Sequence, residues 1–454
     1  MQAYQKARVS RDARYDGKFF VAVKTTKIYC RPICPAPSPK EKNVLYFDSA
    51  IAAQEAGFRP CRRCRPESAP QSAAWIGTQA VLQRAIRKIH AGALNHQDLH
   101  NFSESLGISE RYLRKLFQQY IGTSPRKYGN HVRLMFAKQL LHQTKLPVTD
   151  IAFSAGFNSI RRFNDAFKKT IKLTPSEIRN YAPCEQAGIQ LKLSYQGHYN
   201  WGEMQHFLKQ REIPEIETVT KHSYQRSFQI ANDDTKATGV FKATHNAKDK
   251  AFDLTIELDN INYLMPVVAR IRQLLDIDAN MELIESHLAQ DKKLKPLLVK
   301  GLRLPACWDS FEAGVKAILG QQVSVKAAYG HTQNLIQTLS KPTCNDYYLF
   351  PTPEQVARAD LTFLKMPSSR KETLKSFAHW YLENDGQNLQ DILSIKGIGP
   401  WTLEYIKLRS GSDSDAFPEK DLGVLKTMEK YLLTDSEQWS PWRSYATLQL
   451  WNQL

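Results

Sequence analysis

Residues 393–426 read LSIKGIGPWTLEYIKLRSGSDSDAFPEKDLGVLK and decide how the second half of the chain folds. Gly397 and Gly399 stand between two stretches of helical periodicity, which predicts a tight hairpin joining two helices. Backbone N–H groups in such a hairpin can hold a phosphate group. A lone GxG is weak evidence, but Trp401 follows closely and Asp421 stands twenty residues after Trp401. The hairpin, Trp401 and Asp421 together carry more weight than the glycines alone.

Patterns on both sides of this stretch extend the prediction. Residues from about 189 to 265 alternate in IQLKLSY, SFQIA, GVFKATH and FDLTIEL, which predicts a small antiparallel β-sheet. Helical spacing then returns and persists to the C-terminus. With GLRLPACWDSFEAGVKAILGQQVSVKAA and the final PWRSYATLQLW, these segments resemble the AlkA-type 3-methyladenine DNA glycosylase II over about 190–454. The resemblance implies an α+β subdomain at 188–268 and an α-helical helix-hairpin-helix glycosylase domain at 269–454.

This resemblance also implies a reaction, hydrolysis of the N-glycosidic bond of alkylated purines such as 3-methyladenine after base flipping. Purines alkylated at ring nitrogens often carry positive charge, and electron-rich aromatic faces favour a cationic base. Asp421 is expected to stabilise the oxocarbenium ion and to orient or activate the attacking water. The pocket is expected to contain Trp401, Tyr405 and Trp451, with Phe207 as a weaker candidate. The alternatives are ordinary core packing for the aromatic residues and a solvated loop carboxylate for Asp421.

Three sequence features refine the expected reaction. Strand-cleaving relatives carry a Lys two residues after the second hairpin glycine; here Trp401 stands there and Lys396 precedes the hairpin, so we expect a monofunctional enzyme. In the glycosylases that the chain resembles, an apolar residue of the loop GQxVS fills the gap left by the flipped base. Gln322 takes that position here, so the lesion preference stays open. The cysteines outside the first 70 residues do not form an iron–sulfur motif; they are Cys184, Cys307 and Cys344.

Two earlier segments predict paired helix-turn-helix units. DLHNFSESLGISERYLRKLFQQYIG has Gly107 at the turn and Ser109 as N-cap of the second helix. VTDIAFSAGFNSIRRFNDAFKK has Gly156 at the turn and Ser159 near the start of the following helix. A second helix of this kind can enter a major groove. The alternative is a helical spacer with a basic, solvated face. The basic residues that we expect to contact DNA are Arg111, Arg114, Lys115, Arg161 and Arg162.

With the closing LTPSEIRNY, residues 76–181 resemble the AraC-type DNA-binding domain. We therefore predict an all-α double helix-turn-helix domain at 76–182. The operator that it reads does not follow from the residues.

Four cysteines lie near the N-terminus in two close pairs. Cys30 and Cys34 are separated by three residues and Cys61 and Cys64 by two, with 26 residues between the pairs. Two short pairs brought together give four sulfurs in the tetrahedral geometry that zinc prefers. The alternatives are an accidental grouping and a redox pair. The spacing favours one Zn²⁺ on four cysteines.

The residues around these cysteines carry a further resemblance. FFVAVKTTKIYCRPICPAPSPKEKNVLYF and AAQEAGFRPCRRCRPE resemble the N-terminal domain of the Ada-type methyltransferases over roughly residues 5–70. In that family the first zinc thiolate takes a methyl group from a DNA methylphosphotriester, which implies that Cys30 is the acceptor. Loss of one negative charge at the site would then strengthen DNA binding and activate transcription. Spacing alone does not tell which sulfur reacts. We predict a methyl-acceptor domain at 1–70.

The charge of the chain is concentrated in its first part. Residues 1–182 hold 31 Lys and Arg against 12 Asp and Glu, a net charge of +19, and the remainder has −2. Such a field favours a nucleic-acid partner over a merely basic surface. The charged N-terminus and the lack of a membrane-length apolar run predict a cytoplasmic protein.

The sequence therefore predicts a multidomain α+β protein, joining a small zinc module and a double helix-turn-helix domain to a glycosylase. The predicted partners are double-stranded DNA, damaged and promoter, and RNA polymerase; we expect no membrane and a monomer. The alternative function is a transcriptional regulator with structural zinc and a non-catalytic glycosylase-like half.

Overall fold

The computed structural model divides the chain into two compact units. The first contains residues 1–197, 246–269 and 278–280, and the second contains residues 198–245, 270–277 and 281–454. Residues 67–79 and 180–187, which contain the predicted domain limits at 70, 76 and 182, lie outside the described residues, as do Cys184 and Cys344. The predicted domain limits therefore stay predictions. The structure describes residues 2–11, 15–16, 19–64, 66, 80–179, 188–231, 235–343, 347–384, 386 and 388–454.

A small sheet organises the N-terminal part of the first unit. Its strand order is β3-β1-β2-β4, in which β2 and β4 are parallel and the other pairs are antiparallel. Phe20, Tyr29 and Phe58 are buried between this sheet and a short helix. The strands are β1 Phe20–Val23, β2 Ile28–Cys30, β3 Val44–Phe47 and β4 Arg59–Pro60, and the helices are α1 Gln2–Val9 and α2 Ala50–Glu55.

Helices make up the next part of the first unit. Apolar residues at three- and four-residue spacing, among them Leu99, Phe102, Leu113 and Phe117, are buried in one cluster. The helices are α3 Ala80–His90, α4 Ala93–His96, α5 Leu99–Glu104, α6 Glu110–Ile121, α7 Pro125–Gln143, α8 Val148–Ser154, α9 Ile160–Ile171 and α10 Pro175–Ile178.

Both predicted helix-turn-helix units are present. Gly107 and Gly156 occupy the turns with φ values of +72° and +78°, a region that glycine adopts without strain. Ser109 caps α6 by accepting a hydrogen bond from Tyr112 N, and Ser159 caps α9 by accepting one from Arg162 N. The two units thus repeat one local structure, and their second helices are α6 and α9.

The predicted strands also form. In the first unit β5 pairs with β9 antiparallel, and in the second unit β7 pairs antiparallel with both β6 and β8. A helix, α11, interrupts the predicted alternation and carries Phe207. The elements are β5 Ile189–Ser194, α11 Trp201–Lys209, β6 Glu217–Val219, β7 Ser223–Ala231, β8 Lys236–Asn246 and β9 Ala251–Leu258.

The C-terminal part is helical, as predicted. One core in the second unit gathers buried residues such as Phe311, Ile318, Phe377 and Ile406. Among the described residues, none of the helices is both long and apolar enough to cross a membrane. These helices are α12 Leu264–Leu274, α13 Met281–Leu288, α14 Ser310–Leu319, α15 Val325–Leu339, α16 Pro353–Arg358, α17 Ser368–Asn384, α18 Pro400–Arg409, α19 Leu422–Lys430 and α20 Arg443–Trp451. The predicted multidomain α+β class is confirmed.

Candidate functional site

The hairpin predicted from the two glycines connects a 3-10 turn, Leu389–Ser394, to α18. Gly397 has a φ of +92°, and a Cβ at this position would lie 2.2 Å from Thr373 Oγ1. No other residue fits there without displacing Thr373. Gly399 is the N-cap of α18, and a Cβ added to it would meet no atom within 4 Å. The backbone at the start of α18 is therefore open to an approaching phosphate.

Asp421 is fixed by N–H donors at the N-terminus of α19. Its Oδ1 accepts hydrogen bonds from Gly423 N at 3.0 Å and Val424 N at 3.1 Å, which makes it the N-cap of this helix. The indole of Trp451 donates to the same oxygen at 2.9 Å, and the indole of Trp401 donates to Oδ2 at 3.1 Å. From the sequence, this carboxylate was expected beside the aromatic residues only because of the resemblance to AlkA-type glycosylases. In the structure it binds two of them directly.

Three aromatic side chains form one cluster around that carboxylate. The rings of Trp401 and Tyr405 are stacked with centroids 5.3 Å apart, and the rings of Tyr405 and Trp451 are 6.1 Å apart and tilted. All three side chains are half-buried, as is Asp421. They come from α18 and α20, so residues nearly fifty positions apart in the sequence meet here. The structure thus brings three of the predicted pocket residues together beside the carboxylate, with their aromatic faces partly open.

Phe207 has a different environment from the other predicted pocket residues. Its ring lies against two guanidinium groups, with the Cζ atom of Arg211 at 3.7 Å and that of Arg409 at 4.8 Å from the ring centroid. Burial lowers the pKa of Arg211, and Tyr329 and Tyr405 partly oppose this shift. Phe207 therefore belongs to a cationic group near Tyr405. Neither arginine was identified from the sequence.

Gln322 lies at the tip of an exposed loop between α14 and α15. Its φ is +56°, an uncommon value for a residue with a side chain. The neighbouring Gln321 anchors the loop, because its amide donates to the Gly397 carbonyl at 3.0 Å and to Thr402 Oγ1 at 3.2 Å. The loop is thus tied to the glycine hairpin, which brings two predicted DNA-contacting elements together.

Two other carboxylates that stand close to Asp421 in the sequence, Asp413 and Asp415, have structural partners. Asp415 forms an ion pair with Arg443 at 2.9 Å and accepts a hydrogen bond from Ser440. Asp413 accepts a hydrogen bond from the Asp415 backbone at 2.9 Å. These contacts explain both carboxylates without a catalytic role.

The four N-terminal cysteines converge on one point. Parallel pairing puts Tyr29 opposite Pro60, and Cys61 N donates to the Tyr29 carbonyl at 2.9 Å. The next residue of each strand is a cysteine, Cys30 and Cys61, so the strand register itself brings the two pairs together. All four sulfur atoms lie within 4.8 Å of one another. Cys30 and Cys34 are half-buried, whereas Cys61 and Cys64 are buried.

This donor set fits a zinc ion. Zinc–sulfur bonds of about 2.3 Å in a tetrahedron separate the sulfurs by about 3.8 Å, and a group of sulfurs that all lie within 4.8 Å of one another can accommodate that geometry. Without a cation, four thiolates so close together would repel one another strongly. The group is a four-cysteine zinc site that holds one Zn²⁺.

Three residues that the sequence did not indicate surround the zinc site. Arg31 N donates to Cys64 Sγ at 3.3 Å, and its guanidinium group forms an ion pair with Asp16. The fully buried Lys138 of α7 donates to the Cys61 carbonyl at 3.4 Å. Lys138 could have been noticed in the sequence, because a lysine stands at an apolar position of a helix. No sequence pattern indicates that Asp16 pairs with Arg31.

The predicted recognition helices present their basic residues to solvent. Arg111, Arg114 and Lys115 of α6 are exposed, as are Arg161 and Arg162 of α9. Arg114 forms an ion pair with Glu110 on its own helix. Leu113 and Phe163 anchor the opposite faces of these helices in the core. This orientation leaves the basic faces available for a polyanion.

Comparisons with known proteins find matches to three stretches of the chain. Three family models match: the metal binding domain of Ada at residues 3–67, a helix-turn-helix domain at 102–181, and the AlkA N-terminal domain at 190–309. The solved structure of a 3-methyladenine DNA glycosylase from Archaeoglobus fulgidus matches with a TM-score of 0.50 at 20% identity, covering 57% of this chain and 97% of that chain. That likeness concerns the fold alone.

Two curated relatives are more similar in sequence. The DNA-3-methyladenine glycosylase 2 of Escherichia coli is 32% identical over 57% of this chain and 95% of its own length. The probable bifunctional transcriptional activator/DNA repair enzyme AlkA of Mycobacterium tuberculosis is 35% identical over 99% of this chain and 95% of its own length. This chain belongs to the family of bifunctional transcriptional activator/DNA repair enzymes of the AlkA type.

Proposed function

We propose that the chain releases alkylated purines, such as 3-methyladenine, from DNA by hydrolysis of the N-glycosidic bond. The observation that carries the proposal is the Asp421 carboxylate, which two indole N–H groups and two backbone N–H groups hold beside a half-buried aromatic cluster. An everted base can stack on such a cluster while the carboxylate faces its sugar. The open backbone at Gly399 offers a contact for a nearby phosphate.

The two carboxylate oxygens of Asp421 have unequal surroundings, which suggests a division of roles. Oδ1 accepts three of the four hydrogen bonds and orients the side chain, whereas Oδ2 accepts only that of Trp401 among the described residues. Oδ2 is therefore the oxygen that we assign to catalysis. Water attacks C1′ of the sugar, and the electron pair of the breaking C1′–N bond leaves with the base. Oδ2 takes the proton of the water and stabilises the positive sugar as it forms.

We assign base release without strand cleavage, since Trp401 occupies the position at which a Schiff-base lysine would stand. The test is incubation of the full chain with a duplex that carries 3-methyladenine. The expected products are free 3-methyladenine and a strand that breaks only after treatment with alkali. Absence of free base would support the alternative of a regulator with a non-catalytic glycosylase-like half, and breakage without alkali would contradict the monofunctional assignment.

We also propose that Cys30 accepts a methyl group from a DNA methylphosphotriester. When bound, the zinc ion keeps the cysteine sulfurs as thiolates. The Cys30 sulfur attacks the methyl carbon, the methyl–oxygen bond breaks, and its electron pair leaves with the phosphodiester. The half-buried state of Cys30 supports this role, because Cys61 and Cys64 are buried and less accessible to DNA. The half-buried Cys34 is the remaining competitor.

Methylation would couple repair to transcription. It converts one thiolate to a neutral thioether, so the site becomes less negative by one charge and is repelled less by the phosphate backbone. The exposed basic faces of α6 and α9 then bind promoter DNA, and activation requires RNA polymerase as a partner.

A further inference from the structure

One face of α7 packs against the zinc module, which consists of strands β1–β4, α2 and the four cysteines. His131, Met135 and Lys138 lie on this face at spacings of four and three residues, and all three are buried. Lys138 donates a hydrogen bond to the carbonyl of Cys61 at 3.4 Å. The Nδ1 atom of His131 donates to Gln54 Oε1 at 2.9 Å. The helix therefore contacts the module both at a zinc ligand and at α2.

The short helix α2 belongs to two hydrophobic cores at once. Ala53 is buried with Phe20 and Phe58 in the cluster of the small sheet, whereas Ile51 is buried with Phe117 in the cluster of the first helix-turn-helix unit. Moving α2 away from the helices would expose Ile51 and open a cavity beside Phe117. The zinc module and the helix-turn-helix unit therefore share a core and are not joined by the chain alone.

Polar contacts extend this surface to the start of α7. Thr123 Oγ1 donates to Glu55 Oε1 at 2.6 Å, and Lys127 forms an ion pair with the same oxygen at 3.2 Å. The fully buried Tyr29 of β2 directs its hydroxyl to Met135 Sδ, 3.9 Å away. The contacts thus run along α7 from its first turn past its middle, so the surface is an extended one.

The zinc ligands lie on the strands that support these contacts. Cys30 ends β2 and Cys61 follows β4, so a zinc ion bound to both ties the two parallel strands together. The Cys61 carbonyl that Lys138 uses depends on that tie, as does the sheet on which α2 rests. Because α6 precedes α7 and α8 follows it, α7 connects the two helix-turn-helix units. Zinc binding is therefore linked to the helix that sets the positions of both recognition helices.

We propose that this surface makes DNA binding by the helix-turn-helix pair dependent on zinc, independently of any methyl transfer to Cys30. Loss of the zinc ion frees Cys61 and β4, so the contacts of Lys138 and α2 with α7 weaken. The helix then opens more often, and the two recognition helices lose their fixed spacing. The zinc site thereby acts as a structural support of the DNA-binding part, in addition to the methyl-acceptor role proposed for it.

The test follows hydrogen exchange of the α7 amides and affinity for an unmodified duplex, in the full chain with Zn²⁺ and after its removal by a chelator. Zinc removal should speed exchange in α7 by at least about tenfold, the effect of losing one to two hydrogen bonds. Affinity for DNA should fall by at least about threefold.

Variants show whether the surface carries this effect. Lys138→Met keeps the length of the side chain and removes its hydrogen bond, so α7 exchange should respond to zinc at least about threefold less than in wild type. Lys6→Met, at an exposed position of α1, is the matched control and should respond as wild type does. If Lys138→Met fails to fold, Gln54→Ala takes its place, because it removes the contact with His131.

Three results would overturn the proposal. Zinc removal could speed exchange in the small sheet and α2 while α7 stays protected. The response of α7 could be the same in Lys138→Met or Gln54→Ala as in wild type. Affinity for DNA could stay unchanged although α7 exchanges faster. None of these measurements uses methylated DNA, so a failure of methyl transfer to Cys30 would leave the proposal standing.

Discussion

The two parts of the chain meet DNA with opposite electrostatics. Residues 1–182 carry a net charge of +19 and expose arginines on α6 and α9, whereas the remainder has a net charge of −2. The first part can bind DNA through a broad positive field. The second has no such field and presents a glycine hairpin, an anchored loop and a half-buried aromatic cluster beside Asp421. The positive field of the first part and the site that we propose for base binding in the second are thus separated along one chain.

The proposed reactive groups differ in the same way. Cys30 belongs to a site that a single methyl transfer would use up, because the thioether product is stable. Asp421 is held by four hydrogen bonds, and in the proposed reaction it would return to its starting state after each turnover. The first site is suited to sensing damage once, and the second to removing many lesions.

The largest expected effect separates the two reactive groups. In Cys30→Ala the chain should accept no methyl group, since the attacking sulfur is gone, while base release continues. The measurement is mass spectrometry after exposure to methylphosphotriester DNA, which should show a gain of about 14 Da on the wild-type Cys30 peptide. The buried Cys307→Ser is the control and should keep the gain. A gain on Cys34 in the wild-type chain would reassign the acceptor.

The aromatic slot should show the next largest effect. Trp401→Ala removes both the stacking on Tyr405 and the N–H donor to Asp421, so we expect base release to fall about 10- to 100-fold. Trp401→Phe keeps an aromatic face and should lose less. Trp201→Phe is the matched control, because it removes an indole hydrogen bond to the Lys221 carbonyl and should leave the rate unchanged. Equal rates in Trp401→Ala and wild type would contradict the slot.

Salt dependence tests the electrostatic side of the comparison. Arg161→Ala should reduce the slope of log affinity against log salt for a non-specific duplex by about 0.9, the value for one lost phosphate contact. Arg358→Ala, an exposed arginine of the second part, should leave the slope unchanged. Similar slopes for both variants would mean that the positive field of the first part does not dominate binding.

The smallest effect concerns stability and is confined to the first unit. Burial, with a contribution from His90, lowers the pKa of His131 to about 3. Below about pH 6.5, His131 is therefore protonated in the unfolded chain but still neutral in the folded chain. The contribution of His131 to the free energy of unfolding is complete above that pH and declines towards pH 3. The free energy of unfolding should fall by about 1–2 kcal/mol from this source between pH 7 and pH 5. The measurement is denaturant unfolding with zinc present. Between pH 7 and pH 5, the free energy of unfolding should fall less in His131→Gln than in wild type, and an equal fall in both would contradict the role of His131.

Much of the fold and site was accessible from local patterns. Gly107, Ser109 and Gly397 were predictable because each solves a local problem of backbone conformation or capping. The four sulfurs were predictable because zinc demands a fixed set of donors. Asp421 and Trp401 were indicated by a resemblance, and their hydrogen bond emerged only from the structure.

Other features depend on residues that are distant in the sequence. Arg211 and Arg409 both lie against Phe207, but no spacing rule connects α11 with the end of α18. The contact of Lys138 with the Cys61 carbonyl likewise requires α7 to lie beside β4. The sequence analysis also did not predict α11, which lies within a region of alternating residues. Tertiary packing determines these features, and local sequence patterns do not show which distant elements pack together.

The central claim is that the Asp421 carboxylate drives base release, and Asp421→Asn tests it most directly. Asn caps a helix about as well as Asp, but its amide nitrogen in place of Oδ2 cannot accept from Trp401, so the melting temperature should fall only slightly while chemistry is lost. In a single-turnover assay on a 3-methyladenine duplex, we predict a rate about 10²- to 10⁴-fold below wild type. Asp413→Asn, the matched change at a structural carboxylate, should leave the rate unchanged. A wild-type rate in a folded Asp421→Asn chain would contradict the account.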